Sequence, residues 1–198
     1  MPKLFLDEKQ IEHLLSRSKR HARDHAIFHM ALATGFRNSD LRNLKRSDVE
    51  GVQGEIVHVL RVRQQKTGRY VERTLPMACR EAIAFWLDER QDFNPYLFTA
   101  QSNNTHGDML PMDRSSLQRI FKRYLGILPG ISPEQLRGNA CHVTRRSVAK
   151  IISDKAGRIE PATRFLGHAT IAATVHYLDM DGFGKQADEI VQELPWSK

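Results

Sequence analysis

The sequence predicts an α+β domain, mainly helical, with one small antiparallel sheet. Apolar residues recur at helical spacing over most of the chain, and a single interruption between residues 55 and 76 alternates instead and is rich in β-branched residues. The 198 residues suffice for one well-packed domain and are too few for two ordinary ones.

Each element has its own justification. Ile11, Leu14 and Leu15 follow an acidic start, and Ile27, Met30, Ala31 and Thr34 repeat until Gly35, which can take the left-handed conformation that closes a helix. A third helix is expected from Ser39 as N-cap, burying Leu41 and Leu44, so Arg37 falls in the turn before it. EIVHVLRVR and VERTLPM flank QQKTGRY, which reads as a hairpin with Lys66 at or beside its tip. Helical patterns return at about 78–90, through Ile83, Trp86 and Leu87, and at about 115–125, through Leu117, Ile120, Phe121 and Tyr124. TAQSNNTHGDMLPMD and LPGISPEQLRGNA are polar and turn-rich, and read as loops. After the segment 142–155, Pro161 suits the first turn of a helix that ends at Leu166 and Gly167. Thr170 can cap the short helix that delivers Tyr177.

Composition narrows the function. The formal net charge is +7, and it is unevenly spread: residues 114–168 hold eleven Lys or Arg against three acids, whereas 169–198 hold five acids against two bases. A polyanion is the partner such a face would attract. Cys79 and Cys141 are the only cysteines and stand in no metal-ligand spacing, so no structural zinc is expected, and a reduced, cytoplasmic setting is. No run approaches the length of a membrane span, and no membrane partner is expected.

The chemistry concentrates in three places. Tyr177 stands nine residues after His168 in LGHATIAATVHY, His142 and Arg145 share HVTRR, and Arg37 lies in ATGFRNSDLRNL. A phenol, two guanidinium groups and two imidazoles suit attack on a phosphodiester without a metal. A tyrosine with its pKa near ~10 is nearly all phenol at neutral pH, so it needs cations or a base beside it. Singly, each residue has a plainer reading: Arg37 as a solvated turn charge, His168 as a helix-end residue, Tyr177 as a core aromatic with a tethered hydroxyl. Arg146 competes with Arg145 for the inward position, and the i, i+3 spacing from His142 favours Arg145.

Taken together, these motifs resemble the catalytic domain of the tyrosine recombinases, the phage integrase family. TGFRNSDLRNLKRSDV is similar to the family's first arginine motif, QQKTGR to its hairpin lysine, HVTRRSVAK to its His-x-x-Arg motif, LGHATIAATVHYL to its histidine-to-tyrosine box, and FLDEKQIEHLL to the domain's first helix. The resemblance implies a site-specific DNA recombinase in which Tyr177 is the nucleophile and Arg37 and Arg145 clamp the scissile phosphate. Lys66 would be general acid, His142 base or proton shuttle, and His168 a hydrogen-bond partner of the phosphate. It implies a 3′-phosphotyrosyl intermediate and a freed 5′-hydroxyl, with no cofactor, metal or ATP. The implied partners are double-stranded DNA carrying recombination sites and further copies of the chain, two to four on DNA, with room for accessory DNA-bending proteins. The expected organisation is a single catalytic domain over 1–198 without the family's N-terminal core-binding domain. A compact recombinase and a fragment of a longer integrase both fit.

The chain departs from the family pattern in two places: Asp40 stands where Glu is common, and Val143 and Thr144 replace an acidic and an apolar residue. The tail 183–198, with Ile190, Val191 and Leu194 on one side and net acidic charge, is expected to form a helix that packs either on its own domain or in a protein groove elsewhere, and the resemblance implies exchange between protomers. Two other readings of the chain are a type IB topoisomerase-like enzyme, with the same chemistry, and a non-catalytic DNA-binding regulator on this fold.

Overall fold

The computed structural model describes residues 3–66, 68–99, 109–138 and 140–178. Helix α1 (Glu8–Ser18) opens with a capping box, in which the Asp7 carboxylate accepts from the Gln10 amide at 2.7 Å and the Gln10 side chain accepts from the Asp7 amide at 3.1 Å. Helix α2 (Ala22–Thr34) is the centre of the main core. Ala26, Ile27, Phe28 and Met30 have no exposed surface there, and α2 packs against α1, α5 (Met77–Glu89) and α7 (Cys141–Ala156).

As expected, α2 ends at Gly35, with φ at +59°. A Cβ at that position would collide with the ring of Phe165, so the site demands glycine twice over, for its torsion and for the close approach. Helix α3 (Asn38–Arg42) begins two residues earlier than expected. Arg37, not Ser39, is its N-cap, with extended backbone and no side-chain cap bond, and Ser39 lies inside the helix. Leu41 and Leu44 are buried as expected.

After α4 (Arg46–Val49), strands β1 (Val59–Arg63) and β2 (Tyr70–Thr74) form the antiparallel hairpin, pairing Val59 with Thr74 through to Arg63 with Tyr70. The strand is shorter than EIVHVLRVR suggested, because Ile56 makes only an isolated bridge to Glu50. Lys66 lies in the turn between the strands, where Gly68 takes φ +64°. Helix α6 (Arg114–Leu125) buries Leu117, Ile120, Phe121 and Tyr124. The expected loop 128–140 contains a 3₁₀ turn at Pro133–Leu136. Much of the other expected loop, residues 100–108, lies outside the described residues, as does the tail 183–198.

A second, smaller apolar cluster carries the C-terminal part of the described chain. Ala149 of α7, Ala162 and Leu166 of α8 (Glu160–Leu166) and Leu178 of α9 (Ile171–Leu178) form it, with Phe5, Ile152, Phe165 and Tyr177 packed on its edge. Thr170 caps α9 as expected, its hydroxyl accepting from the Ala173 amide at 3.2 Å. The chain's first described segment is tied to the same region: Ser147 Oγ accepts from the Leu6 amide at 2.7 Å, and Lys3 donates to the carbonyl of His176. Thr144 is fully buried, and its hydroxyl makes one long bond back to the Cys141 carbonyl at 3.4 Å within the helix. Both cysteines are buried free thiols. Among the described residues no helix is long and apolar enough to cross a membrane.

Candidate active site

The site is assembled where helix ends meet. Arg37 leaves α2 two residues after Gly35, half-buried, with Nη1 4.0 Å from Asp40 Oδ2 one helical turn on. That separation is too long for a hydrogen bond. The aspartate, one methylene shorter than the usual glutamate, spends its other oxygen on the hairpin, where Oδ1 accepts from the Gln65 amide at 2.8 Å. Arg37 Nη1 and Asp40 Oδ2 are both buried with no hydrogen-bond partner. Asn38, beside Arg37, donates to Cys141 Sγ at 3.4 Å, which joins the start of α3 to the residue preceding His142.

Arg145 is the inward-facing member of its pair. It is 2 % exposed, and its guanidinium donates from Nη1 to the Gly35 carbonyl and from Nη2 to the Leu166 carbonyl, the latter at 2.6 Å. A guanidinium has five N–H donors, and besides these two carbonyls the group also hydrogen-bonds the Tyr177 side chain. Burial pulls its pKa down to about 10, and the group is still a cation at neutral pH. Arg146 is only half-buried, although its charge is felt at both His142 and Tyr177.

Tyr177 OH lies 3.3 Å from His142 Nδ1, a long hydrogen bond. The His168 ring meets the Tyr177 ring edge-on with centroids 5.3 Å apart, and Arg145 Cζ is 6.0 Å from the same ring. Burial raises the Tyr177 pKa against the pull of Arg145, Arg146 and Arg37, so the residue is a phenol at neutral pH. Burial, followed by repulsion from Arg145, Arg146, Arg37 and Arg114, pushes His142 down to about 4. The neighbour of the phenol is therefore a neutral imidazole, able to accept a proton through a ring nitrogen without hydrogen. His168 is also pushed down to about 4, by burial and then by Arg145, Arg37 and Lys66. Its Nδ1 is 3.0 Å from the hydroxyl of the fully buried Thr174. With that hydroxyl donating, the imidazole proton sits on Nε2, the nitrogen free to face a substrate.

Five of the six residues singled out by sequence thus come together: Arg37, His142, Arg145, His168 and Tyr177. Lys66 lies on the exposed hairpin tip, near enough for its charge to reach His168. Sequence reasoning missed Thr174, whose position six residues after His168 carries no motif, and the role of Asp40 in holding the Gln65 amide. Among the described residues no group of three or more His, Cys, Asp or Glu could hold a metal ion.

Comparisons with known proteins identify the family and the fold. The model of the phage integrase family matches residues 4–182. The chain is 30 % identical over 183 residues to the tyrosine recombinase XerA of Pyrococcus furiosus, covering 89 % of this chain and 57 % of that protein. A putative integrase/recombinase of Sinorhizobium fredii, y4gC, is 27 % identical over 190 residues, covering 91 % of this chain and 90 % of the relative. Among solved structures, XerA recombinase superposes with a TM-score of 0.69 at 25 % identity, over 98 % of this chain and 65 % of that one. XerH recombinase bound to a palindromic difH substrate, after cleavage, gives 0.70 at 18 % identity over 98 % of this chain and 54 % of that one, a likeness of fold. The chain spans little more than half the length of the XerA protein it matches. With the family model covering nearly all of it, the chain belongs to the phage integrase family.

Proposed function

We propose that the chain is a site-specific DNA recombinase, of integrase or invertase type, that cuts and rejoins strands through Tyr177. The observation that carries the reading is the meeting of a half-buried phenol with a neutral imidazole at 3.3 Å, beside a buried guanidinium that is held by two carbonyls and hydrogen-bonds the same phenol. His142 takes the phenolic proton as Tyr177 attacks, and Arg37 and Arg145 hold the two non-bridging oxygens. The phosphorane carries more negative charge than the diester, so fixed guanidinium groups favour it over the ground state. Nε2 of His168 donates to the same phosphate. Lys66, brought in by the hairpin, protonates the departing 5′-oxygen. Tyr177 is left on the 3′-phosphate, and the bond energy kept there lets a 5′-hydroxyl of a partner strand reverse the step without ATP. The cations do the work of a metal ion.

The partner is double-stranded DNA, with two to four copies of the chain on paired sites. Arg114, Arg119 and Lys122 line a polar depression on α6, and the charge of Arg114 reaches His142, which supports a backbone path from that helix into the site. Binding should therefore weaken steeply as salt rises, by release of condensed counterions. The tail 183–198 is proposed to act between protomers, and deleting it should weaken assembly on paired sites.

The experiment that tests the reading incubates the full chain, in EDTA, with nicked duplexes from a randomised library and resolves the products on a denaturing gel. Wild type should form a covalent adduct, and Tyr177→Phe, which removes one hydroxyl and little packing, should form none while still binding DNA. An equal adduct from the variant, or strict dependence on a divalent metal, sinks it.

A further inference from the structure

Helices α2 and α8 end side by side, and two arginines share the ends between them. Each helix closes with a left-handed glycine, Gly35 and Gly167, and each leaves its last carbonyls without helical partners. Arg145 takes Gly35 from one helix and Leu166 from the other. Arg73 takes the carbonyl just before in each case, donating from Nε to Thr34 at 3.1 Å and from Nη2 to Phe165 at 2.6 Å. Its Cζ also lies 5.5 Å from the centre of the Phe165 ring, the ring that fills the space over Gly35. Two negative helix ends that would repel each other are thus held by two cations, one carbonyl of each helix per cation.

The residues that follow these ends belong to the site. Arg37 comes two residues after Gly35, and His168 two after Leu166. Arg73 also stands on β2, opposite the fully buried Leu60, so the same guanidinium ties the Lys66 hairpin to both helix ends. The hairpin root is packed there too: Gln64 is buried, and a Cβ on Gly167 would meet its Oε1 at 3.6 Å. Arg145 has a second duty toward the phosphate, whereas both of the donating nitrogens by which Arg73 holds the helix ends are spent on carbonyls.

We propose that Arg73 is a positioning residue for strand cleavage: it fixes the ends of α2 and α8 so that Arg145, Arg37 and His168 face one phosphate. The proposal rests on the recombinase reading above. Without Arg73 the helix ends are left to Arg145 alone, and the guanidinium meant for phosphate is drawn toward them. A displacement of about 1 Å in such a group can cost on the order of a hundredfold in rate.

The test compares the full-length wild type, R73M, R73K, R145A and the R73M/R145A double variant. Single-turnover adduct formation is followed on a nicked duplex that wild type has captured covalently from a randomised library, with circular dichroism as the folding control. R73M keeps the apolar stem, and R73K keeps one cation that can reach one carbonyl. We expect R73M to be roughly tenfold to a hundredfold slower at saturating DNA, with an unchanged half-saturating concentration and R73K in between. The double variant should be slower than R145A by less than the factor that R73M costs alone, because part of what Arg73 does passes through Arg145. R73M reacting at the wild-type rate, or losses that multiply in the double variant, would overturn the proposal. If R73M does not fold, R73K is read against R145A in the same cycle. A wild type that forms no adduct refutes the recombinase reading instead; the Nε–H resonance of Arg145 then decides the geometry, shifting in R73K if the two arginines are coupled and staying fixed if they are not.

Discussion

Two buried arginine–aspartate sites in this molecule are built to opposite standards. Asp24 is 1 % exposed and saturated: Arg23 donates to Oδ1 from Nε at 3.1 Å and from Nη2 at 3.0 Å, and Arg123 closes on Oδ2. Asp40 is almost as buried, yet its nearest arginine stops at 4.0 Å, leaving Arg37 Nη1 and Asp40 Oδ2 without hydrogen bonds. Buried polar groups in folded proteins are nearly always satisfied, and exceptions gather where function holds a group ready. The first pair fastens α2 to α6. The second keeps a guanidinium aimed by charge but uncommitted in its bonds, as a phosphate clamp requires.

Mutation should separate the two sites cleanly. Arg37→Ala is expected to slow covalent adduct formation by about 10²–10³, the usual loss for a transition-state donor, with little change in melting temperature. Asp24→Ala should do the reverse, costing about 1–3 kcal/mol, because Arg23 loses its carboxylate while Arg123, 58 % exposed, returns to water, with the cleavage rate of the folded fraction unchanged. Urea denaturation and single-turnover kinetics on the same preparations check both, and a matched loss of stability in the two variants breaks the comparison. Asp40→Asn keeps an acceptor for the Gln65 amide but removes the charge that aims Arg37, so it should slow cleavage by less than Arg37→Ala does.

The pH dependence sharpens the same contrast. His142 and His168 have pKa values pushed down to about 4 from an ordinary 6.5, and the proposed role of His142 as base needs it neutral. The acid limb of kcat/KM, which reports the free enzyme, should therefore lie near pH 4, and activity at pH 6 should be nearly full. A limb centred at 6.5 would contradict the assignment. Stability follows the linked sign. The unfolded chain takes up protons at the ordinary histidine pKa and the folded chain only near 4, so between these values the unfolded state binds more protons. Stability from His142, His168 and the similarly depressed His29 is full above about 6.5 and is lost as pH falls toward 4. Thr174→Val should have the smallest effect. It removes one hydrogen bond, worth about 0.5–1.5 kcal/mol or roughly two- to twelvefold in rate, and a wild-type rate would show that the His168 tautomer needs no such support.

The helix ends were readable because each depends on a local torsion. Gly35, Pro161, Gly167 and Thr170 mark boundaries that the structure keeps. Ser39 was misread because its side chain is a good cap in general, while the chain here gives the cap position to Arg37. The five clustered site residues were legible through motif spacing. What joins them was not: the bonds from Arg145 to Gly35 and from Arg73 to Phe165 span 110 and 92 residues, and acceptance by a main-chain carbonyl leaves no mark on residue type. Thr174 was hidden for a related reason, since a buried threonine in a short helix is ordinarily plain packing.

The two cysteines of the chain are chemically silent. Cys79 and Cys141 are buried, and burial holds both thiols up to about 12, far above the range in which a thiolate reacts with a maleimide or a disulfide. A cysteine introduced on the surface would then be the sole reactive sulfur, with no native residue to be removed first. Placed at Gln65, on the exposed hairpin tip, it offers a reporter whose labelling rate tests whether the hairpin changes its exposure when DNA is added.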